Sequence, residues 1–484
     1  MKKIAALLAS ALICAYSFAV EKPWLSISAE TPKKFFSDVS DIMRKVYPDP
    51  QLEMTLALML SQFGYPNFYG IDPKENFALA AFGKASAPQL FMAVKTSKDS
   101  AIYKFAEHAK LRKAEKNGWL VLQLDGNPEA IVSDYADETI SAAAKSAYGL
   151  SITIRDAKKL LDSIPVPQLP QEKCALEYLE NILSQTEEIK TSFGYDGNSI
   201  VNQSEFAAKE GTDTAKLINS MSIKKRVDEA AFVPQDYMIT ALTSLNGAAA
   251  AQSYEKMMSP IFKSLNIPES AVKSAVNMVA STTTSAGALN LQSIAQIQSV
   301  NVSESPLSLE EIVKLSESAS FDLIKSTAPD SSLKAEMKNE SGVNFCEITQ
   351  TLLPNMPAQK IYIAKEGKYS VTAFSRESLF DAVAKIKNPP SEYPLKKYSA
   401  ANANIVLIIN NAQVIKKIFS IFGVDFDGKI GNTETFGYIE KNSLKFRTSI
   451  GIGIIRAYSD ILRKIAEINA QNPAGTNQGA PAGK

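Results

Sequence analysis

Residue types that carry most enzyme chemistry are scarce in this chain, and their spacing is poor where they occur. His108 is the one histidine among 484 residues. It falls on a helical stretch at 105–110 with no cysteine or second histidine at ligand spacing, which excludes histidine triads and zinc sites built on several histidines or on histidine with cysteine. No nucleophile elbow, phosphate loop or dinucleotide fingerprint is present. A Ser-x-x-Lys spacing occurs at Ser222/Lys225, Ser253/Lys256 and Ser270/Lys273. It puts a lysine one helical turn from a serine, but the companion Lys-Thr-Gly is missing. The nearest approach, Lys95-Thr96-Ser97, lies upstream of all three. The spacing is background in a chain rich in both residues.

Three other groups call for a reading. Asp425, Asp427, Gly428, Ile430 and Glu434 fall at calcium-loop spacings, which would let oxygens wrap a cation. Gly423 holds the first ligand position, where aspartate belongs, and 436–446 reads as strand where a helix should exit. A solvated turn therefore accounts better for the segment, with Asp425, Asp427 and Glu434 its metal candidates. Cys174 and Cys346 are either a disulfide joining distant parts of the chain or two buried thiols. Cys346 sits in the apolar run 343–348, which favours thiols. The loop Gly64-Tyr65-Pro66-Asn67-Phe68-Tyr69-Gly70 offers Tyr65, Phe68 and Tyr69 as a stacking platform for a sugar or an anchor for a protein partner, or as a plug on the chain itself. The acids at Asp134, Asp137, Glu138, Glu187 and Glu188 are scattered, as helix surfaces make them.

The elements behind these residues begin with a leader. Met1-Lys2-Lys3 is basic, 4–15 is apolar, and Ser17-Phe18-Ala19 has small residues placed for cleavage, the order of a secretory signal peptide at 1–19. The apolar run is short for spanning about 30 Å of hydrocarbon. Export follows, to the periplasm or beyond, and Cys14 leaves with the leader. The chain has 52 basic and 51 acidic residues; without Lys2 and Lys3 the balance is −1. That balance argues against a nucleic-acid partner. The remaining sequence holds no stretch of about 18 apolar residues to cross a membrane, while 45% hydrophobic content is ample for a core.

Similar patterns recur 243 to 255 residues apart. Phe193-Gly194-Tyr195 and Phe436-Gly437-Tyr438 each open a strand, a polar turn and a strand. Leu150–Ile154 passes through a polar pair and alanine into a helix, as Ile405–Ile409 does. Asn117-Gly118-Trp119 and Glu366-Gly367-Lys368-Tyr369 each open a strand and a helix. Fixed-order self-similarity is what a duplication leaves, and it sets two related halves at 20–235 and 236–470. Residues 471–484, rich in Ala, Pro, Gly and Gln, read as a disordered tail.

Helices are expected at 32–43, 52–63, 101–109 and 308–324, the last behind the capping box Ser308-Leu309-Glu310-Glu311. Strands are expected at 77–82, 90–96, 119–124, 333–337 and 343–351. Leu150, Ile152 and Ile154 should bury one strand face and Ser151 and Thr153 wet the other. Hairpins and helices in mixed order give an α+β fold of two related halves, each with an antiparallel or mixed sheet and packed helices. The chemistry implied is that of an exported, non-catalytic binding or interaction protein without a cofactor, whose partner is a protein or carbohydrate held between the halves. An exported hydrolase working through two carboxylates on cell-wall or carbohydrate material is the alternative, and predicts opposed acids about 5–10 Å apart. An envelope assembly factor is the third reading.

Overall fold

The computed structural model describes residues 22–46, 54, 58, 61, 70–125, 131–144, 149–161, 170–264, 267–293, 296–327, 331–351, 358–399, 402–421 and 430–471. Among the described residues eighteen strands form one antiparallel sheet. Those before residue 235 are β1 Leu25–Ala29, β2 Phe77–Lys84, β3 Ala87–Lys95, β4 Lys113–Lys116, β5 Trp119–Gln123, β6 Leu150–Ile154, β7 Thr186–Tyr195 and β8 Ser199–Ala208. After it come β9 Ile239–Ser244, β10 Thr284–Ser293, β11 Gln296–Glu304, β12 Ser332–Glu340, β13 Val343–Thr351, β14 Gln359–Glu366, β15 Tyr369–Ala373, β16 Ile405–Ile409, β17 Thr433–Glu440 and β18 Ser443–Gly451. The main helices are α1 Pro32–Val46, α2 Ala101–His108, α3 Val132–Ala144, α4 Pro170–Ser184, α5 Asp213–Met221, α6 Gly247–Ser264, α7 Glu269–Ala280, α8 Leu309–Thr327, α9 Arg376–Lys387, α10 Asn411–Ile421 and α11 Ile452–Gln471. The fold is α+β.

Pairing runs edge to edge as β4-β5-β3-β2-β1-β6-β7-β8 and continues as β18-β17-β16-β9-β10-β11-β15-β14-β13-β12. Read outward from the β8/β18 seam, both arms visit the chain in the same order: last hairpin, the strand before it, first strand, second, third, then a hairpin in reverse. The β12–β13 hairpin is an addition to the second arm. The three recurring sequence patterns fall on corresponding strands: β7 with β17, β6 with β16, and the β4–β5 hairpin with β14–β15. The two edge strands, β4 (KAEK) and β12 (SLKAEMKNE), alternate charge.

Local chemistry explains the corners. The Asn117-Gly118 and Ser341-Gly342 turns have φ of 51° and 80°, and of 52° and 76°, the left-handed pair a two-residue hairpin turn requires. At the start of α8 the Ser308 N–H donates to Glu311 Oε2 at 2.8 Å and the Glu311 N–H donates to Ser308 Oγ at 3.2 Å, closing the expected capping box.

Two expectations are corrected here. Strand β1 precedes the helix expected at 32–43, in a segment where no strand was expected, because the buried Ser26 and Ser28 disguised it. In β6 it is Ser151 that is buried, at 3% exposure, while Leu150, Ile152 and Ile154 are half-buried. The burial of that strand is set by a polar floor rather than by an apolar core.

Candidate functional site

That floor emerges from register. Residues directly opposite on neighbouring strands share a face, so one row can be followed across the whole sheet. It reads Ala114, Val121, Ala93, Ala78, then Ser28, Ser151, Ser192, Gln203, Arg447, then Phe436, Val406, Leu242, Ala286, Val302, Val371, Ala364, Phe345 and Lys338. Apolar stretches flank five polar residues at the centre. Helices cover both apolar stretches. On one side α3 presses Val132 and Ala136 onto Ala80, Phe82, Phe91 and Val121, and Tyr135 stacks on Phe91 with ring centroids 4.7 Å apart. On the other, α9 packs Leu379, Ala382 and Val383 into the core around Val302, Val371 and Phe345. Tyr398 packs in the same cluster beside Phe436. The central five strands span about 19 Å at ~4.8 Å per step.

Between these helices the floor opens into a recess of about 340 Å³. Ser151 and Ser192 form its base, with Ser151 donating to Ser192 Oγ at 3.1 Å. One strand step along lies the row Lys190, Glu205, Lys445, Tyr438. Lys445 is engaged by two carboxylates, Glu440 at 2.6 Å and Glu205 at 3.6 Å. Lys190 and Arg447 have no ion pair among the described residues. A larger hollow of about 690 Å³ borders Gly70, Asp72, Lys95 and Thr96, but it is wide, and its one cation, Lys95, is bound to Glu75 at 2.6 Å. The recess gathers convergent donors and spare charge; the hollow does not.

A second polar cluster sits beside the second arm. Glu229 is 1% exposed; its Oε1 accepts from Thr284 Oγ1 at 2.6 Å, and Oε2 has no partner. Burial drives its carboxyl above the ordinary range. The same Thr284 hydroxyl lies 3.3 Å from Glu304. Glu304 is held below the ordinary range by the Lys225 ammonium bonded to it, with Lys368 at 3.6 Å. Two acids pushed in opposite directions are the signature of acid–base pairs, and sequence reasoning missed them, since 75 residues separate the two positions. Glu229, however, is sealed on the 3-10 turn Asp228–Ala231 against β10 and β11, with Phe232 packed against Tyr369 at 5.1 Å, and an acid without access cannot reach a substrate.

The residues singled out from sequence are dispersed. Tyr65, Phe68, Tyr69, Asp425 and Asp427 lie outside the described residues, as do 1–19 and 472–484. Glu434 lies on β17, where its carboxylate accepts from the Tyr398 hydroxyl and lies 3.8 Å from Lys397. Among the described residues no cluster of three or more metal-ligating side chains forms. Cys346 is a buried free thiol packed with Ile348 and Ile363, and burial pushes it up. Cys174 is on α4, and its side chain is outside the described set. Lys225 of the Ser-x-x-Lys spacing serves Glu304, Lys273 pairs with Glu269 at 2.7 Å, and His108 is exposed at the end of α2. Asp137 pairs with Lys116 at 2.6 Å and Glu188 with Arg155 at 3.3 Å.

No family model matches the sequence, and no curated protein matches it. Among solved structures the chain is similar to TP0453. Crystal form I aligns at 13% identity over 46% of this chain and 79% of that chain, with a TM-score of 0.27. Crystal form III aligns at 11% identity over 49% and 97%, with a TM-score of 0.26. The resemblance is distant, and the reading of the site rests on its residues. Among the described residues no helix is long and apolar enough to cross a membrane.

Proposed function

We propose that the chain is an exported, non-catalytic binding protein of two duplicated α+β halves, 20–235 and 236–470, and that its ligand occupies the recess at the seam between them. The observation that carries this is the row of five polar residues between α3 and α9, four of which line the recess, in a sheet where the flanking stretches of that row are apolar and covered. Burying serines on a central strand gains nothing for a core, since each hydroxyl needs a partner. A ligand that meets those groups gives them one. The matching order of the two arms, and the placing of all three recurrent patterns on corresponding strands, support the duplication. Export rests on the basic, apolar and small-residue leader.

The experiment is a ligand screen by thermal shift on the chain from residue 20, repeated with Gln203→Trp, which fills the recess from an exposed floor position. A ligand that raises the wild-type Tm and leaves Gln203→Trp unmoved places binding in the recess. A ligand that shifts both equally sinks the reading. A parallel variant with Tyr65, Phe68 and Tyr69 changed to Ala tests the aromatic loop as a second contact for a protein or carbohydrate partner.

The carboxylate hydrolase, as the second reading, would have to work through Glu304, which shares the Thr284 hydroxyl with the sealed Glu229. It requires that Glu304→Gln abolish hydrolysis of cell-wall material by the purified chain.

A further inference from the structure

We propose that the recess is an oxyanion site, in which Lys190 and Arg447 clamp a carboxylate or phosphate group over the buried hydroxyl of Ser192. This rests on the recess being the binding site and names the chemical class it takes. The first observation is charge. Four charged side chains line the recess, Lys190, Glu205, Lys445 and Arg447. Glu205 and Lys445 face each other at 3.6 Å, and Lys445 is further neutralised by Glu440 at 2.6 Å. Lys190 and Arg447 form no ion pair among the described residues, the Asp196 carboxylate acting on Arg447 only through space, and so carry the spare charge of the recess.

The second observation is the floor. Ser192 is 7% exposed and accepts from Ser151 Oγ at 3.1 Å. Its own hydroxyl proton has no acceptor among the described residues, so it is a donor without a task. Gln203, the next residue in the row, adds an exposed amide with no hydrogen-bond partner among the described residues. Donors, two spare cations and no spare carboxylate are what an anion meets with profit, and a cation or a neutral apolar group would meet with loss. Arg447 presents a planar fork that matches the two oxygens of a carboxylate or phosphate, while Lys190 supplies a point charge from the opposite strand.

The geometry fits one group rather than a surface. Lys190 and Arg447 stand on β7 and β18 with only β8 between them, one row apart. Their Cα atoms are therefore about 12 Å from each other across two ~4.8 Å strand steps, a gap that two long side chains close on a single oxyanion. Tyr438, in the same lining, gives the rest of the ligand a ring to lie on.

The test is titration calorimetry on the chain from residue 20, with inorganic phosphate in one arm and galacturonate in the other. The expectation is binding in at least one arm that weakens about ten- to hundredfold in Arg447→Gln and in Lys190→Gln, and that falls with added sodium chloride. The arm that responds identifies the source of the oxyanion. Far-ultraviolet dichroism and Tm of both variants should stay close to wild type, since neither residue has a hydrogen bond or ion pair to lose among the described residues. Galacturonate binding that is unchanged in both variants but lost in Gln203→Trp overturns the oxyanion while keeping the recess. Binding in neither arm, with a neutral ligand that Gln203→Trp excludes, overturns it equally. Binding that no recess variant alters removes both readings.

Discussion

At the scale of single residues, the chain separates charges that are used from charges that are waiting. Glu229 shows the cost of burial. With one oxygen on Thr284 and the other without a partner, its carboxyl is held above the ordinary range by burial. Asp228 and Glu304 add to the push, while Lys368 and Tyr369 stand nearby. A carboxyl raised on folding holds its proton longer in the folded chain than in the unfolded one. Its contribution to stability is therefore whole below about 4.5, the ordinary value, and drains away as pH rises toward the raised one. Glu304, lowered by Lys225, runs oppositely: its contribution is present above the ordinary value and is lost as pH falls. Glu229→Gln keeps the acceptor for Thr284 and removes the titration. The gap in Tm between this variant and wild type should widen from pH 4.5 to pH 8 in calorimetry. A gap that stays constant would mean that Glu229 is ionised in both states.

At the scale of elements, caps and turns were readable because their chemistry is local. Ser308→Ala removes the acceptor for the Glu311 N–H and should cost about 1 kcal/mol in urea denaturation, with Ser308→Asp restoring most of it. The Asn117-Gly118 and Ser341-Gly342 turns announce themselves through residues that tolerate positive φ. Gly437 has a reason the sequence could only hint at: a Cβ there would come within 2.9 Å of the Phe446 ring, so the central glycine of its Phe-Gly-Tyr tripeptide makes room for a cross-strand aromatic. What could not be read is what depends on partners far along the chain. Strand β1 looks polar because three of its five residues, Ser26, Ser28 and Ala29, are not bulky hydrophobes, yet it lies between β2 and β6. The recess is equally opaque, since Arg447 joins the hairpin partners Ser192 and Gln203 only through the seam, 244 positions from Gln203 in the β8–β18 pairing. Period and propensity do not carry register across such distances.

At the scale of the molecule, the two arms share one hydrogen-bond ladder. Nine residue pairs join β8 to β18, from Ser199↔Gly451 to Ala207↔Ser443, and α5 packs Ala215 and Ile218 against Ile439 of the other arm. Asn404 ties the linker in as well: its amide donates to Ile223 O at 2.8 Å and Ser244 O at 3.1 Å, and its carbonyl accepts from the Ile439 N–H at 2.8 Å. Residues 20–235 produced alone would expose β8 as a long open edge, the condition under which strands recruit neighbours. Light scattering should find that fragment self-associated, and mixing it with 236–484 should give a one-to-one complex. A monomeric fragment that ignores its counterpart would show two independent domains.

The alternating charge of β4 and β12 gains its meaning from this length. A sheet of eighteen strands whose two margins are unpaired among the described residues is one step from a filament, because each margin offers the next copy a template. Lys113, Glu115 and Lys116 on one margin and Lys334, Glu336 and Lys338 on the other make docking a second copy costly in desolvation. Strand addition, the contact that pairs the two arms at β8 and β18, is thereby disfavoured at the ends.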